Sequence, residues 1–136
     1  MARGHAPTAL DVLSGRVLQA SFRVHTALGP GLLESAYVAC LEHELHRADL
    51  FVERQRVLPV RYGDVFVDAG YRVDLLVERT LIVEVKAARN FTPIHEAQLL
   101  TYLKLAELHL GLLLNFNVRR LADGGIRRVV HGRPPE

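Results

Sequence analysis

The chain has 136 residues, 49% of them hydrophobic and 24% charged, which suits one globular domain over residues 1–136 with a single substantial core. No apolar run reaches the roughly eighteen residues of a membrane helix, and Met1-Ala-Arg-Gly-His-Ala-Pro7 lacks the apolar stretch of a secretory signal. The formal net charge of +2 is compatible with a polyanionic partner but too small to name one, while the single cysteine, Cys40, excludes an internal disulfide and points to a reducing cytoplasm.

Thr8 and Asp11 form a capping-box pattern around Leu10, and Leu13, Val17, Ala20, Val24 and Ala27 follow. That three-and-four spacing predicts an amphipathic helix, stopped by Gly29-Pro30-Gly31. A second helix is expected from Leu33 or Glu34 to about Arg47, with Tyr37, Val38, Leu41 and Leu45 facing inward and Cys40 as a small apolar residue. Residues 51–61 read as a strand that Pro59 weakens or sends to an edge. Residues 64–69 are short enough either to extend the next strand or to form their own. A hairpin follows over 71–87, and Thr92-Pro93 opens a third helix that runs to about Leu108. Leu110–Asn115 reads as a buried strand, Gly124-Gly125 as a turn and Ile126–Val130 as a last edge strand. The order α-α-β-β-β-α-β-β implies that the third helix is a crossover adding a parallel strand. The expected architecture is an α/β fold in which helices cover both faces of a mixed sheet.

The hairpin carries the chemistry. Its two strands are rich in Val, Ile and Leu, yet hold Asp74, Glu84 and Lys86. Buried charges are rare unless paired or bound to metal, because desolvating an isolated carboxylate is very costly. Glu84 and Lys86, two apart, share a strand face. If Glu78-Arg79-Thr80 is the turn, Val77 pairs with Leu81 and Asp74 falls opposite Glu84, about 5 Å away at Cβ. A slip of one residue would turn Asp74 to the other face. Two carboxylates that close repel unless a proton or a cation lies between them, and oxygen donors suit Mg²⁺ or Mn²⁺ better than zinc.

Other residues have two readings each. Glu34 is either an ordinary acid at a helix N-terminus or, since it shares a face with Tyr37, Val38 and Leu41, a third carboxylate pointing inward. Gln98 and Tyr102 are one turn apart with His95 on the same side, and form either a polar stripe or a helix-borne part of the site. His25, His43, His46 and His109 have no spacing that demands a metal. The arginines crowding the C-terminal end, among them Arg119, Arg120, Arg127, Arg128 and Arg133, are either a solvated surface or phosphate contacts.

Taken together, Gly31-Leu-Leu-Glu34-Ser-Ala-Tyr37, Tyr71-Arg-Val-Asp74, Ile82-Val-Glu84-Val-Lys86, Gln98-Leu-Leu-Thr-Tyr102 and Gly111-Leu-Leu-Leu-Asn115-Phe116 resemble the GxxExxY family. That family is a branch of the PD-(D/E)XK nuclease superfamily, and the resemblance covers roughly residues 10 to 130. It implies a three-layer, restriction-endonuclease-like core and a nuclease acting on nucleic acid, with DNA the favoured form. It also implies that Asp74 and Glu84 hold Mg²⁺ (or Mn²⁺), with the Val85 carbonyl as a further ligand. Lys86 would orient or deprotonate the attacking water or offset phosphate charge. Glu34 would be an accessory acid near the metal, and Gln98 with Tyr102 would stand beside it. Val73 occupies the place where the superfamily's name expects proline.

Two rival readings stay open. A catalytically inactive module on the same fold would bind nucleic acid or a partner protein without cutting. A purely structural network would have Lys86 neutralise the two acids with no ion bound. A domain this small has little surface for a long nucleic-acid site, so either a homodimer or a partner protein is expected to extend it.

Overall fold

A computed structural model describes residues 6–135. The charged start of the chain, which bears on the expectation of no secretory signal, lies largely outside those residues. Helix α1 (Ala9–Leu28) opens as expected: Asp11 N–H donates to Thr8 Oγ1, and Thr8 N–H donates to Asp11 Oδ2, each at 3.0 Å. Leu10, Leu13, Val17, Ala20 and Val24 form its buried stripe, and Gly29, at φ 66°, ends it. Helix α2 (Glu34–Arg47) buries Tyr37, Val38, Leu41 and Leu45. The Tyr37 hydroxyl donates to the Gly29 carbonyl at 2.6 Å and accepts Leu32 N–H at 3.1 Å, while its ring stacks on Phe116 at 4.7 Å. This one side chain fixes the turn that delivers Glu34 to the start of α2.

Seven strands follow the two helices: β1 (Val52–Val57), β2 (Val60–Tyr62), β3 (Val65–Val67), β4 (Arg72–Val77), β5 (Leu81–Lys86), β6 (Leu110–Asn115) and β7 (Ile126–Val130). Helix α3 (Pro93–Ala106) connects β5 to β6. The main sheet runs β1-β4-β5-β6-β7, with β5 and β6 parallel and every other pair antiparallel. The expected crossover, mixed sheet and edge position of β7 are all present.

Side chains alternate across the sheet, so the central strands feed two cores. Leu75, Val77, Leu81, Val83, Val85, Leu112 and Leu114 pack with α1 and α2 on one face. Leu76, Ile82 and Leu113 pack with Leu99, Tyr102 and Leu103 of α3 on the other. At about 1.5–3 kcal/mol for each buried apolar side chain, packing on the two faces is the main favourable term for the fold. Gly111 lets α3 approach closely, because a Cβ there would lie 2.8 Å from Leu99 Cδ1.

The structure departs from the expected elements at residues 51–61. This segment is not one strand: β1 ends at Val57, and β2 pairs with β3 in a separate two-stranded hairpin. Pro59 lacks the N–H that a continuing strand would donate, and the ladder closes one residue earlier, where Leu58 N–H donates to the Tyr71 carbonyl at 2.9 Å. One face of this hairpin carries Val60, Tyr62, Val65 and Val67, and the other carries Arg61 over the Phe66 ring. No helix or strand packs extensively on it, and Tyr62 is 79% exposed. Helix α3 also ends sooner than expected, at Ala106, because Glu107 turns left-handed at φ 57°. No helix among the described residues is long and apolar enough to cross a membrane.

Candidate active site

The expected hairpin register holds. Val77 pairs with Leu81, Leu76 with Ile82 and Leu75 with Val83, around the turn at Glu78-Arg79-Thr80. One step further, where the backbone ladder would place Asp74 against Glu84, side chains take over. Asp74 N–H donates to Glu84 Oε2 at 2.6 Å, and Val85 N–H donates to Asp74 Oδ2 at 2.8 Å. The strands are held together there by the carboxylates themselves.

The other side of Asp74 is irregular as well. In β1, Arg54 pairs with Leu75 and Arg56 with Val73, but Gln55 between them sits at φ 53°. A left-handed backbone is uncommon for a residue with a Cβ and disrupts the local ladder. It leaves Gln55 beside Asp74, where its side chain favours the charged form of the carboxylate. Nothing in the residue type announced this contact.

Burial sets the electrostatics of the pair. Glu84 is only 4% exposed, and burial followed by the charge of Asp74 pushes its pKa up to about 8. Burial also raises Asp74, while the Val85 N–H bond and Lys86 oppose that rise. Lys86 favours the charged form of both acids, and Glu34 disfavours it in both. Tyr102, buried on α3, has its hydroxyl pushed up by burial and then by the charges of Glu84 and Asp74, which places it beside the pair. Its ring lies 6.1 Å from that of Tyr71.

The remaining expected residues are placed unequally. Glu34, exposed on the first turn of α2, reaches the end of β5, where its Oε2 accepts Ala87 N–H at 3.2 Å. It is near enough for its charge to act on both acids but does not complete a three-carboxylate cluster. Among the described residues no group of three or more His, Cys, Asp or Glu stands in a metal-holding arrangement. Gln98 is exposed one turn before Tyr102, and no hydrogen bond joins it to the pair. His95 serves the start of α3 instead, its Nδ1 accepting Thr92 N–H at 3.3 Å. Two clefts lie away from the acids, one lined by Leu10, Leu13 and Leu50 and the other by His109 and His131. A smaller one lies between Leu32, Leu33, Glu34 and Ala87, at the site's rim.

A polar latch missed by the sequence reading supports the segment after Lys86. Asn115, fully buried at the end of β6, accepts Ala88 N–H at 3.1 Å and donates to the Ala88 carbonyl at 2.9 Å. Its Oδ1 also accepts Asn117 N–H, and Asn117 Nδ2 donates to the same Ala88 carbonyl at 3.4 Å. Phe116 N–H adds a bond to the Lys86 carbonyl. Lys86 is thereby held from behind. The available signal was a buried-strand pattern ending on an asparagine, since a buried amide demands partners.

The donor set fits a hard divalent cation. Both acids offer oxygen, each commits one oxygen to a main-chain amide, and their mutual repulsion in a dry setting is the cost a cation would relieve. A family model described as the PD-(D/E)XK nuclease superfamily matches residues 11–129. The chain belongs to the PD-(D/E)XK nuclease superfamily. The match spans α1 through most of β7, so the fold and the acid pair both lie inside it. A mixed five-stranded sheet flanked by three helices is consistent with that superfamily's core. No curated protein and no solved structure gives a significant match.

Proposed function

We propose that this superfamily member is a metal-dependent nuclease of the GxxExxY branch that hydrolyses phosphodiester bonds of nucleic acid, with DNA the favoured substrate. The observation that carries the reading is the buried Asp74/Glu84 pair with Lys86 on the same strand face. Asp74 and Glu84 are the residues that would hold Mg²⁺ or Mn²⁺, with the Val85 carbonyl as a further donor and Glu34 as an outer acid. The ion, when bound, supplies Lewis-acid activation of the scissile phosphate and of a water molecule.

The chain's own groups do the rest. Lys86 offsets negative charge that grows on the phosphate and orients or deprotonates the attacking water. Tyr102, on α3 and near enough for both acids to raise its hydroxyl pKa, would help keep bulk water from them, which strengthens the interactions there. Gln98, exposed one turn away, is placed to meet the substrate as it enters. The reading includes one domain over residues 1–136, a cytoplasmic location and assembly as a homodimer; the dimer is checked by the mass in solution.

Incubation with DNA and RNA substrates in Mg²⁺ or Mn²⁺ tests the activity. Wild type is expected to cut, and Lys86→Ala to lose at least about a hundredfold in rate, as removal of a charge-stabilising group does elsewhere. Equal cleavage by the two proteins would assign the activity to a contaminant. The catalytically inactive module remains the second reading, and predicts salt-sensitive binding without turnover that survives Glu84→Ala.

A further inference from the structure

Most arginines of this chain are already engaged. Seven of them pair with carboxylates, Arg16 donates to the Ala48 carbonyl, and Arg61 and Arg79 lie over the Phe66 and Phe51 rings. Among the described residues that leaves Arg89, Arg119, Arg120 and Arg133 with no ion pair, side-chain hydrogen bond or aromatic partner. Three of those four stand together.

Strands β5 and β6 are parallel, with Lys86 beside Asn115 at their C-terminal ends. The segments that follow therefore leave the sheet at the same edge. Arg89 is on the first, three residues past Lys86, while Arg119 and Arg120 are on the second. Asn115 and Asn117 stitch the two segments together at Ala88, the residue before Arg89. All three arginines are exposed. Asp123 is the one carboxylate on the second segment; its N–H bonds the Arg120 carbonyl, and its side chain makes no ion pair.

A like-charged group without internal partners costs stability through self-repulsion and gains nothing locally. From this juxtaposition we propose that Arg89, Arg119 and Arg120 form a phosphate-binding track, which seats the nucleic-acid backbone on the β5/β6 side of the acid pair. This inference rests on the nuclease-type reading of that pair for its ligand, but not on turnover. The opposite flank is unsuited, because Arg54, Arg56 and Arg72 are spent on Glu42, Glu53 and Asp68. The backbone would enter past the three arginines, meet Lys86 and end at Asp74 and Glu84.

The test is binding of a short fluorescein-labelled DNA duplex in EDTA, measured by anisotropy over a series of salt concentrations. Counterion release gives a slope of log K against log salt near −0.9 per phosphate contact. The variant Arg89→Ala/Arg119→Ala/Arg120→Ala is expected to flatten the slope by roughly 2.7 and to weaken binding by about tenfold per arginine near 0.1 M salt. Arg23→Ala/Arg47→Ala, on α1 and α2, is expected to change neither. If the triple variant unfolds, the single substitutions carry the test, each flattening the slope by roughly 0.9.

Cleavage by wild type with unchanged binding by the arginine variants overturns the track and leaves the nuclease reading standing. Weakened binding by those variants with no cleavage by wild type supports the track and removes the nuclease reading. A wild type that neither binds nor cuts overturns both.

Discussion

Asp74 and Glu84 hold the β4–β5 hairpin together with their own carboxylates: Asp74 N–H donates to Glu84 at 2.6 Å, and Val85 N–H donates back to Asp74 at 2.8 Å. The acids thus substitute for the backbone ladder at the point where it would otherwise continue. Their positions are fixed by main chain on both strands, so their mutual repulsion is not relieved by rotating away. Preorganised charge of this kind is a stability cost that a ligand can recover.

The first consequence is a dependence of stability on pH. The folded Glu84 carboxyl titrates near 8 against an ordinary 4.5, chiefly through burial and then Asp74. A raised carboxyl pKa means that the folded state binds the extra proton between those values. Stability therefore falls as pH rises through the window and is unaffected below it. Thermal unfolding in EDTA at pH 5, 6.5 and 8 is expected to show a falling Tm in wild type, as the unfolding free energy drops by on the order of a few kcal/mol. Glu84→Gln should be flatter over the same range and more stable than wild type at pH 8. A wild-type curve parallel to that of Glu84→Gln would contradict the burial argument.

Metal addition should reverse that trend. Mn²⁺ at about a hundred times its dissociation constant stabilises the folded state by about 2.7 kcal/mol if it binds there alone. Because the ion competes with the proton on Glu84, its apparent affinity should be higher at pH 8 than at pH 6. Asp74→Asn should abolish the thermal shift. An equal shift in Asp74→Asn would place the ion elsewhere.

Asn115 is expected to matter for both stability and activity. Asn115→Ala strands the Ala88 N–H, leaves the Ala88 carbonyl only the longer bond from Asn117 Nδ2, and takes a partner from Asn117 N–H. At about 1 kcal/mol per lost bond, with more for each group left buried, urea unfolding should show a loss of roughly 2–4 kcal/mol. The segment behind Lys86 loosens too, so kcat should fall more than KM rises. Asn115→Asp keeps the acceptor and loses the donor, and should lie between the two proteins. No difference between Asn115→Ala and wild type would show that the latch is incidental.

The β2–β3 hairpin should be removable. Leu58 and Tyr71 are already hydrogen-bonded across its base, and no other element packs extensively on it. Replacing residues 59–70 with a short Asn-Gly turn should leave the protein folded, with Tm within several degrees of wild type. Loss of cooperative unfolding would show that the hairpin contributes to the core.

Much of this fold was legible in the sequence because it is written locally. The stripe from Leu10 to Val24, the Thr8/Asp11 box and the alternation around Glu78-Arg79-Thr80 each follow from residues within a few positions of one another. The hairpin register followed too, and with it the meeting of Asp74 and Glu84. What escaped the reading depends on distant partners. Pro59 signalled an interruption, but not that residues 60–62 would turn away to pair with 65–67. Gln55 looks like any surface glutamine until its left-handed backbone sets it beside Asp74. Asn115 and Ala88 are far apart in sequence, so their latch has no short-range pattern. Glu34 comes to the site's edge through Ala87, whereas Gln98 stays in solvent, and helical spacing alone does not separate those outcomes.

The central claim is that the buried acid pair is a cation site. Anomalous diffraction from crystals soaked in Mn²⁺ at pH 8 tests it most directly. One strong peak is expected within coordinating distance of both Asp74 and Glu84, lost in Asp74→Asn. An empty pair at saturating Mn²⁺, with Lys86 or a shared proton neutralising the two carboxylates, would contradict it.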